Sequence, residues 1–215
     1  MPLPFQRILL TFFFSGVIGF SEVVDQQAWE KKVPENRADL AAIQARLQEL
    51  IPVTQKALVS IEANDGAGSG VIVSPDGLIL SAAHVIGRTG VNMEVRLLDG
   101  RRTNAVSLGG SEISDAGMLQ IKEPGPWPYV KIPKLHSSKV GDWCFGLGHP
   151  GGFDIERGLV VRIGRIIEKK DETMQTDSRL LGGDSGGPLF NFEGKVIAIH
   201  SRISNEPDQN FHVPI

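Results

Sequence analysis

The chain has 215 residues, 41% apolar and 22% charged, enough for one domain of ordinary size with a real core plus a short extra segment. A net charge of −3 without a basic block argues against nucleic acid as a partner. The single cysteine, Cys144, excludes a disulfide framework and Cys-rich zinc sites, while 25 glycines and 13 prolines suit a turn-rich β protein.

Arg7 precedes an uncharged apolar stretch, residues 8–20. In a helix it falls short of the ~20 residues that span a bilayer, and it matches the apolar region of a secretory signal. Gly19 and Ser21 are small residues two apart, so residues 1–21 read as a signal cleaved after Ser21, or else as a retained membrane anchor. An exported chain without a disulfide points to the periplasm or envelope of a bacterium. Residues 22–51 form an N-terminal helical segment. Within it, 34–51 carry Leu40, Ile43, Leu47, Leu50 and Ile51 at helical spacing, with Pro34 in the first turn and Pro52 ending the run. This helix either packs on the domain surface or serves as a short self-association segment.

From residue 52 to 215 the pattern is that of strands. ALVSIEA, SGVIVS, LILSA, VNMEVRLL, GLVVRIG and KVIAIHS are short apolar or alternating runs. Val91, Met93, Val95 and Leu97 alternate with polar residues, as in a half-exposed strand. SPDG at 74–77, DG at 99–100 and EG at 193–194 mark turns. The fold class is all-β, a barrel or sandwich, with strand density that allows two barrels.

One serine, Ser185, stands among glycines in LLGGDSGGPLF. The pattern Gly183-x-Ser185-x-Gly187 fits the strand–turn–helix nucleophile elbow, and Asp208 and His212 follow in the order that fold needs. Against it, a β-hairpin rather than a helix follows the serine. A β-barrel loop instead predicts a histidine and an aspartate upstream. LILSAAHVI places His84 just past a buried strand, and DAGMLQI places Asp115 at the start of an apolar run. A serine hydroxyl needs a base at neutral pH. His84 can serve, with Asp115 fixing its tautomer. The glycines free the backbone to aim N–H groups at a developing oxyanion, a contribution of about 3–4 kcal/mol for each donor.

These blocks resemble the trypsin-like serine proteases, and among them the bacterial HtrA (Deg) type, over residues 52–215. The resemblance rests on GSGVIVSPDGLILSAAHVI at 68–86, DAGMLQI at 115–121, TDSRLLGGDSGGPLFNFEGKVIAIHS at 176–201 and FHVPI at 211–215. It implies two six-stranded antiparallel β-barrels with the site between them. It implies endopeptidase activity on unfolded protein or peptide substrates, without metal or cofactor, and a homotrimer. His84, Asp115 and Ser185 would be the triad. The oxyanion hole would be formed at Gly183, Asp184 and Ser185. Leu180, His200, Ser201, Arg202 and Ile203 would bind substrate, Leu180 and Ile203 favouring small aliphatic side chains. Arg179 and Arg202 would instead invite an acidic residue.

The sequence departs from that family at Asp184, where HtrA proteins usually carry Asn, at Leu181-Gly182 in place of Asn-Pro, and in ending without a visible PDZ domain. A buried carboxylate needs a donor, and Arg179 is a candidate for it. The alternative function is a peptide-binding module whose oxyanion loop rests in an inactive geometry. His136 is expected at the surface, His149 and His212 in structural roles, and His200 beside the substrate or in simple packing. Cys144 is expected to be a buried small hydrophobe.

Overall fold

The computed structural model describes residues 26–63, 66–133, 138–203 and 209–215. The apolar stretch 8–20, Ser21, His136 and Asp208 lie outside them. Among the described residues no helix is long and apolar enough to cross a membrane.

Alternation dictates the first barrel. In the strand Asn92–Leu97, Met93, Val95 and Leu97 are buried and the residues between them face outward. Val91, expected to lead this strand, is exposed and lies before it. The strand is β4 of a closed barrel formed with β1 (Leu58–Ala63), β2 (Gly66–Ile72), β3 (Leu78–Ala82), β5 (Arg102–Ser111) and β6 (Ala116–Ile121), in the order β1-β2-β3-β6-β5-β4. All six neighbouring pairs are antiparallel.

The second barrel closes in the same manner. It comprises β7 (Trp143–Gly148), β8 (Val160–Lys169), β9 (Met174–Thr176), β10 (Pro188–Asn191), β11 (Val196–Ile203) and β12 (Asn210–Pro214), in the order β10-β11-β12-β9-β8-β7. Closure leaves neither sheet an open edge. One large apolar cluster joins first-barrel residues such as Val59, Ile79 and Leu119 to Phe145, Leu147, Phe190 and Ile199 of the second barrel. A smaller cluster within the second barrel contains Cys144, Ile166, Met174, Leu189, Ile197 and Ala198. Cys144 is a buried free thiol, as expected, and burial pushes its pKa up.

The N-terminal helix, α1, spans Arg37–Thr54. It starts three residues after Pro34, because the Asn36 side chain accepts the Asp39 N–H and caps it there. It also runs through Pro52 rather than ending there. Proline removes one N–H bond near the helix end, while packing beyond it holds the last turn: Leu50 and Thr54 are buried, and both approach Gly194 in the β10–β11 turn. Ile43 joins the large core, Trp29 stacks on Phe192, and Arg46 Nε donates to the Phe192 carbonyl at 3.0 Å. Leu40, expected on the apolar face, is 54% exposed. The helix is a surface element docked on the second barrel.

Candidate active site

The histidine block places its ring through small neighbours. After β3, Ala83–Ile86 form a single helical turn, α2. Gly110 of β5 and Gly117 of β6 lie so close to Ala83 that a Cβ at either would collide with it or its neighbours. The SAAH sequence thus lets the turn sit on bare strand backbone and carries His84 to the barrel edge, where its side chain is 51% exposed.

Asp115 precedes β6 with φ of +61°, a left-handed conformation that Asp tolerates better than most residues. Its N–H donates to the Ser111 carbonyl and its carbonyl accepts the Ala83 N–H, so both strand ends fix the turn. The carboxylate, 16% exposed, receives four contacts. His84 Nδ1 lies 2.9 Å from Oδ2 and 3.0 Å from Oδ1, the His84 backbone N–H donates to Oδ1 at 3.1 Å, and the Ser201 hydroxyl donates to Oδ2 at 2.6 Å. Burial pushes this carboxyl up, but the Ser201 hydroxyl and the His84 donors outweigh it and hold Asp115 below the ordinary carboxylate range. An ionised carboxylate only accepts, so Nδ1 is the ring nitrogen that donates to it, and Nε2 lies outside that contact.

Ser185 enters from the second barrel, in the loop between β9 and β10. Its Oγ donates to the Ser201 carbonyl at 3.3 Å rather than to His84. Around it the backbone is tightly tied. Ser185 O accepts from Ser69 N, Gly186 N donates to His200 O, and Gly187 N donates to Asp184 O. Asp184 N–H donates to the Leu181 carbonyl at 3.0 Å, so it is not available to an oxyanion. Among the described residues, neither Gly183 N–H nor Ser185 N–H donates to a protein acceptor.

One peptide decides where the Gly183 donor points. The Gly182 carbonyl accepts from Gly151 N at 2.8 Å. In a trans peptide the N–H opposes the preceding C=O, so the Gly183 N–H is directed away from Gly151. Gly183 holds φ of +96°, and a Cβ there would lie 2.5 Å from Gly151 N. No side chain fits that position.

The cationic donor to Asp184 is Arg162 of β8, whose Nη2 lies 3.0 Å from Oδ2. Arg179, the candidate donor, is exposed. Arg162 was not singled out from the sequence; the path of β8 beside the loop brings it to the carboxylate. Burial pushes the Asp184 carboxyl above its ordinary value, against the opposing pull of the Leu181 N–H and Arg162.

The expected substrate residues separate. Ser201 is buried and bonds both Asp115 and, through its carbonyl, Ser185. Arg202 and Ile203 are exposed at the end of β11, with the Arg202 guanidinium over the Phe211 ring. Leu180 is buried, its N–H bonded to Asn210 Oδ1. His200, expected beside the substrate or in packing, takes the packing role. It is fully buried, its Nδ1 lies 2.9 Å from His212 Nδ1, and His212 Nε2 meets Thr176 Oγ1 at 2.8 Å. The ring is enclosed while the backbone holds the Ser185 loop, accepting the Gly186 N–H and donating to the Gly187 carbonyl. His149 is likewise fully buried, in the turn after β7.

Ser69 of β2 was not legible in the sequence as a site residue. Its N–H donates to Ser185 O at 2.7 Å, its Oγ donates to Gly183 O at 2.8 Å, and the same Oγ accepts the His149 N–H at 2.9 Å. The first barrel thereby grips the second barrel's loop. The small run Gly68-Ser69-Gly70 within a strand was the available signal, since a Cβ at Gly68 would lie 3.1 Å from Ser185 O.

Comparison with known proteins bears on this arrangement. Residues 68–199 match the family described as the trypsin-like peptidase domain. A protein of Hahella chejuensis named as a DegP-like periplasmic serine endoprotease is 39% identical over 63% of this chain and 29% of its own length. A Rickettsia prowazekii protein of the same name is 30% identical over 81% of this chain and 36% of its own. A Synechocystis protein named as the serine protease HhoA is 34% identical over 70% of this chain and 40% of its own. The chain thus spans well under half the length of these relatives. The crystal structure of a serine endoprotease from Yersinia pestis superposes with a TM-score of 0.68 at 26% identity, over 78% of this chain and 61% of that one.

Proposed function

Because the chain belongs to the trypsin-like peptidase domain family, we propose that it is a serine endopeptidase that hydrolyses unfolded proteins in the bacterial envelope through an acyl-enzyme. Residues 1–21 would export it or anchor it to the membrane.

Ser185 Oγ is the nucleophile. A turn about its χ1 bond moves the hydroxyl from the Ser201 carbonyl toward His84, where Nε2 takes its proton as Oγ attacks the scissile carbonyl. Asp115 keeps the Nδ1 proton in place and stabilises the imidazolium that forms. The carbonyl oxygen becomes an oxyanion and receives the N–H groups of Gly183 and Ser185. His84 then gives its proton to the leaving amine, which departs and leaves the acyl group on Ser185. Water, activated by His84, reverses these steps and releases the second product.

The observation that carries this reading is the Gly182–Gly183 peptide. Its carbonyl is bonded to Gly151, which leaves the Gly183 N–H free for an oxyanion. That orientation favours a working peptidase over a module with a collapsed loop.

Labelling of the purified chain with a fluorophosphonate, with the adduct mapped by mass spectrometry, tests the proposal. The label is expected on Ser185 and absent from a folded Ser185→Ala protein, with casein digestion following the same pattern. A folded parent that takes no label and leaves casein intact would sink the endopeptidase reading.

A further inference from the structure

We propose that Arg162 is a positioning residue: from β8 it holds the Asp184 carboxylate, and through it the Gly183–Ser185 backbone, in the geometry that presents two N–H groups to an oxyanion. This inference rests on the endopeptidase reading and deepens it.

The argument begins with two glycines. Gly146 and Gly148 are two apart on β7 and therefore face the same side of the sheet. A Cβ on Gly148 would run into Asp184 Oδ1, and one on Gly146 would come within 2.6 Å of the His200 ring. The sequence Trp-Cys-Phe-Gly-Leu-Gly therefore clears a trough on one face of the strand. Into this trough the nucleophile loop lowers the Asp184 side chain, which is 1% exposed.

Arg162 stands directly opposite Gly146 in the β7–β8 register. Its side chain, 17% exposed, reaches Asp184 Oδ2 at 3.0 Å. The same oxygen accepts the Leu181 N–H at 2.9 Å, while Oδ1 has no hydrogen-bond partner among the described residues. The hold on the carboxylate thus rests on one oxygen with one bonded cation. A carboxylate buried this deeply does not stay ionised in place once its cation is removed. It must take up a proton or turn toward water.

The loop cannot ignore that movement. Asp184 is tied to Leu181 twice, through the carboxylate to Leu181 N–H and through its own N–H to the Leu181 carbonyl. Gly182 and Gly183 lie inside this double tie, and glycine backbone offers little resistance to rotation. Displacing the carboxylate therefore rotates the peptide that aims the Gly183 donor. Arg162 touches neither the substrate nor the reacting atoms, so its influence passes through Asp184.

The test compares the parent, Arg162→Met, Asp184→Asn and the double variant, with fluorescein-labelled casein as the probe substrate. Arg162→Met is expected to lower kcat about 100-fold, the loss typical of one oxyanion donor, with KM changed less than threefold. Asp184→Asn keeps a neutral partner for Leu181, and adding Arg162→Met to it is expected to change kcat less than tenfold. The double variant should then exceed Arg162→Met alone by tenfold or more, a rescue that a general loss of packing would not give. If Arg162→Met fails to fold, the comparison of Asp184→Asn with the double variant decides by itself. An active parent with Arg162→Met within tenfold of it would overturn the inference and leave the endopeptidase reading intact. So would a double variant more than tenfold below Asp184→Asn. A folded but inactive parent would remove both.

Discussion

Acidification should destabilise this fold well above the pH at which carboxylates titrate. Three histidines, His149, His200 and His212, are at most 1% exposed. Burial pushes His149 down to about 4, with Arg157 adding to the effect, and burial pushes His212 down to about 3. His200 also lies well below its ordinary value, through burial and the nearby His212 and Arg162. In the unfolded chain each returns to about 6.5. Between that value and the folded one, the unfolded state binds more protons, so stability is complete above about pH 6.5 and falls as pH drops. The slope is about 1.4 kcal/mol per pH unit for each histidine. From pH 7 to pH 5 this amounts to about 2 kcal/mol for each of His149 and His212, about 4 together, with His200 adding in the same direction, a large share of a domain's typical 5–15 kcal/mol. Asp115, held low, loses its contribution only below about pH 4, outside this window. Asp184, held high, works in the opposite direction, because as the pH falls it gains its proton more readily in the folded chain than in the unfolded one. Urea unfolding of the Ser185→Ala protein at pH 7, 6 and 5, followed by tryptophan fluorescence, measures the effect without self-digestion. His149→Phe should remove about 2 kcal/mol of the pH dependence. A difference below about 2 kcal/mol between pH 7 and pH 5 would refute the view that these histidines fold neutral.

Gly183→Ala places a Cβ 2.5 Å from Gly151 N at a φ of +96°, so the peptide must turn; kcat on casein should fall ~100-fold or more, and the strain should also cost about 1 kcal/mol or more in urea unfolding. Ser69→Ala leaves the Gly183 carbonyl and the His149 N–H without their shared partner, and should lower both stability, by about 1–3 kcal/mol in urea unfolding, and the rate of fluorophosphonate labelling. Leu50→Ala opens a cavity where α1 meets the β10–β11 turn; a loss of about 2–5 kcal/mol is expected in thermal unfolding, with the rate of casein cleavage at 25 °C preserved.

The sequence by itself made the candidate site residues and much of the local geometry legible. Serine among glycines, histidine after two alanines and aspartate before an apolar run are consecutive patterns, because each turn needs particular residues within a few positions. The alternation of β4 was legible for the same reason, since one buried face imposes a period of two. Elsewhere that period fails. β9 has three residues, and β7 has five of its six positions buried, so neither announces itself as an alternating strand. The end of α1 was misread because tertiary packing on Gly194 sustains the turn beyond Pro52. Only the folded chain could bring Arg162 to Asp184, bring Ser69 of one barrel to the nucleophile loop of the other, and enclose the His200 ring. Side-chain chemistry and backbone dihedrals are properties of neighbours along the chain. The partner of a buried charge is whichever segment the closing of two barrels lays across it, and no local run of residues encodes that path.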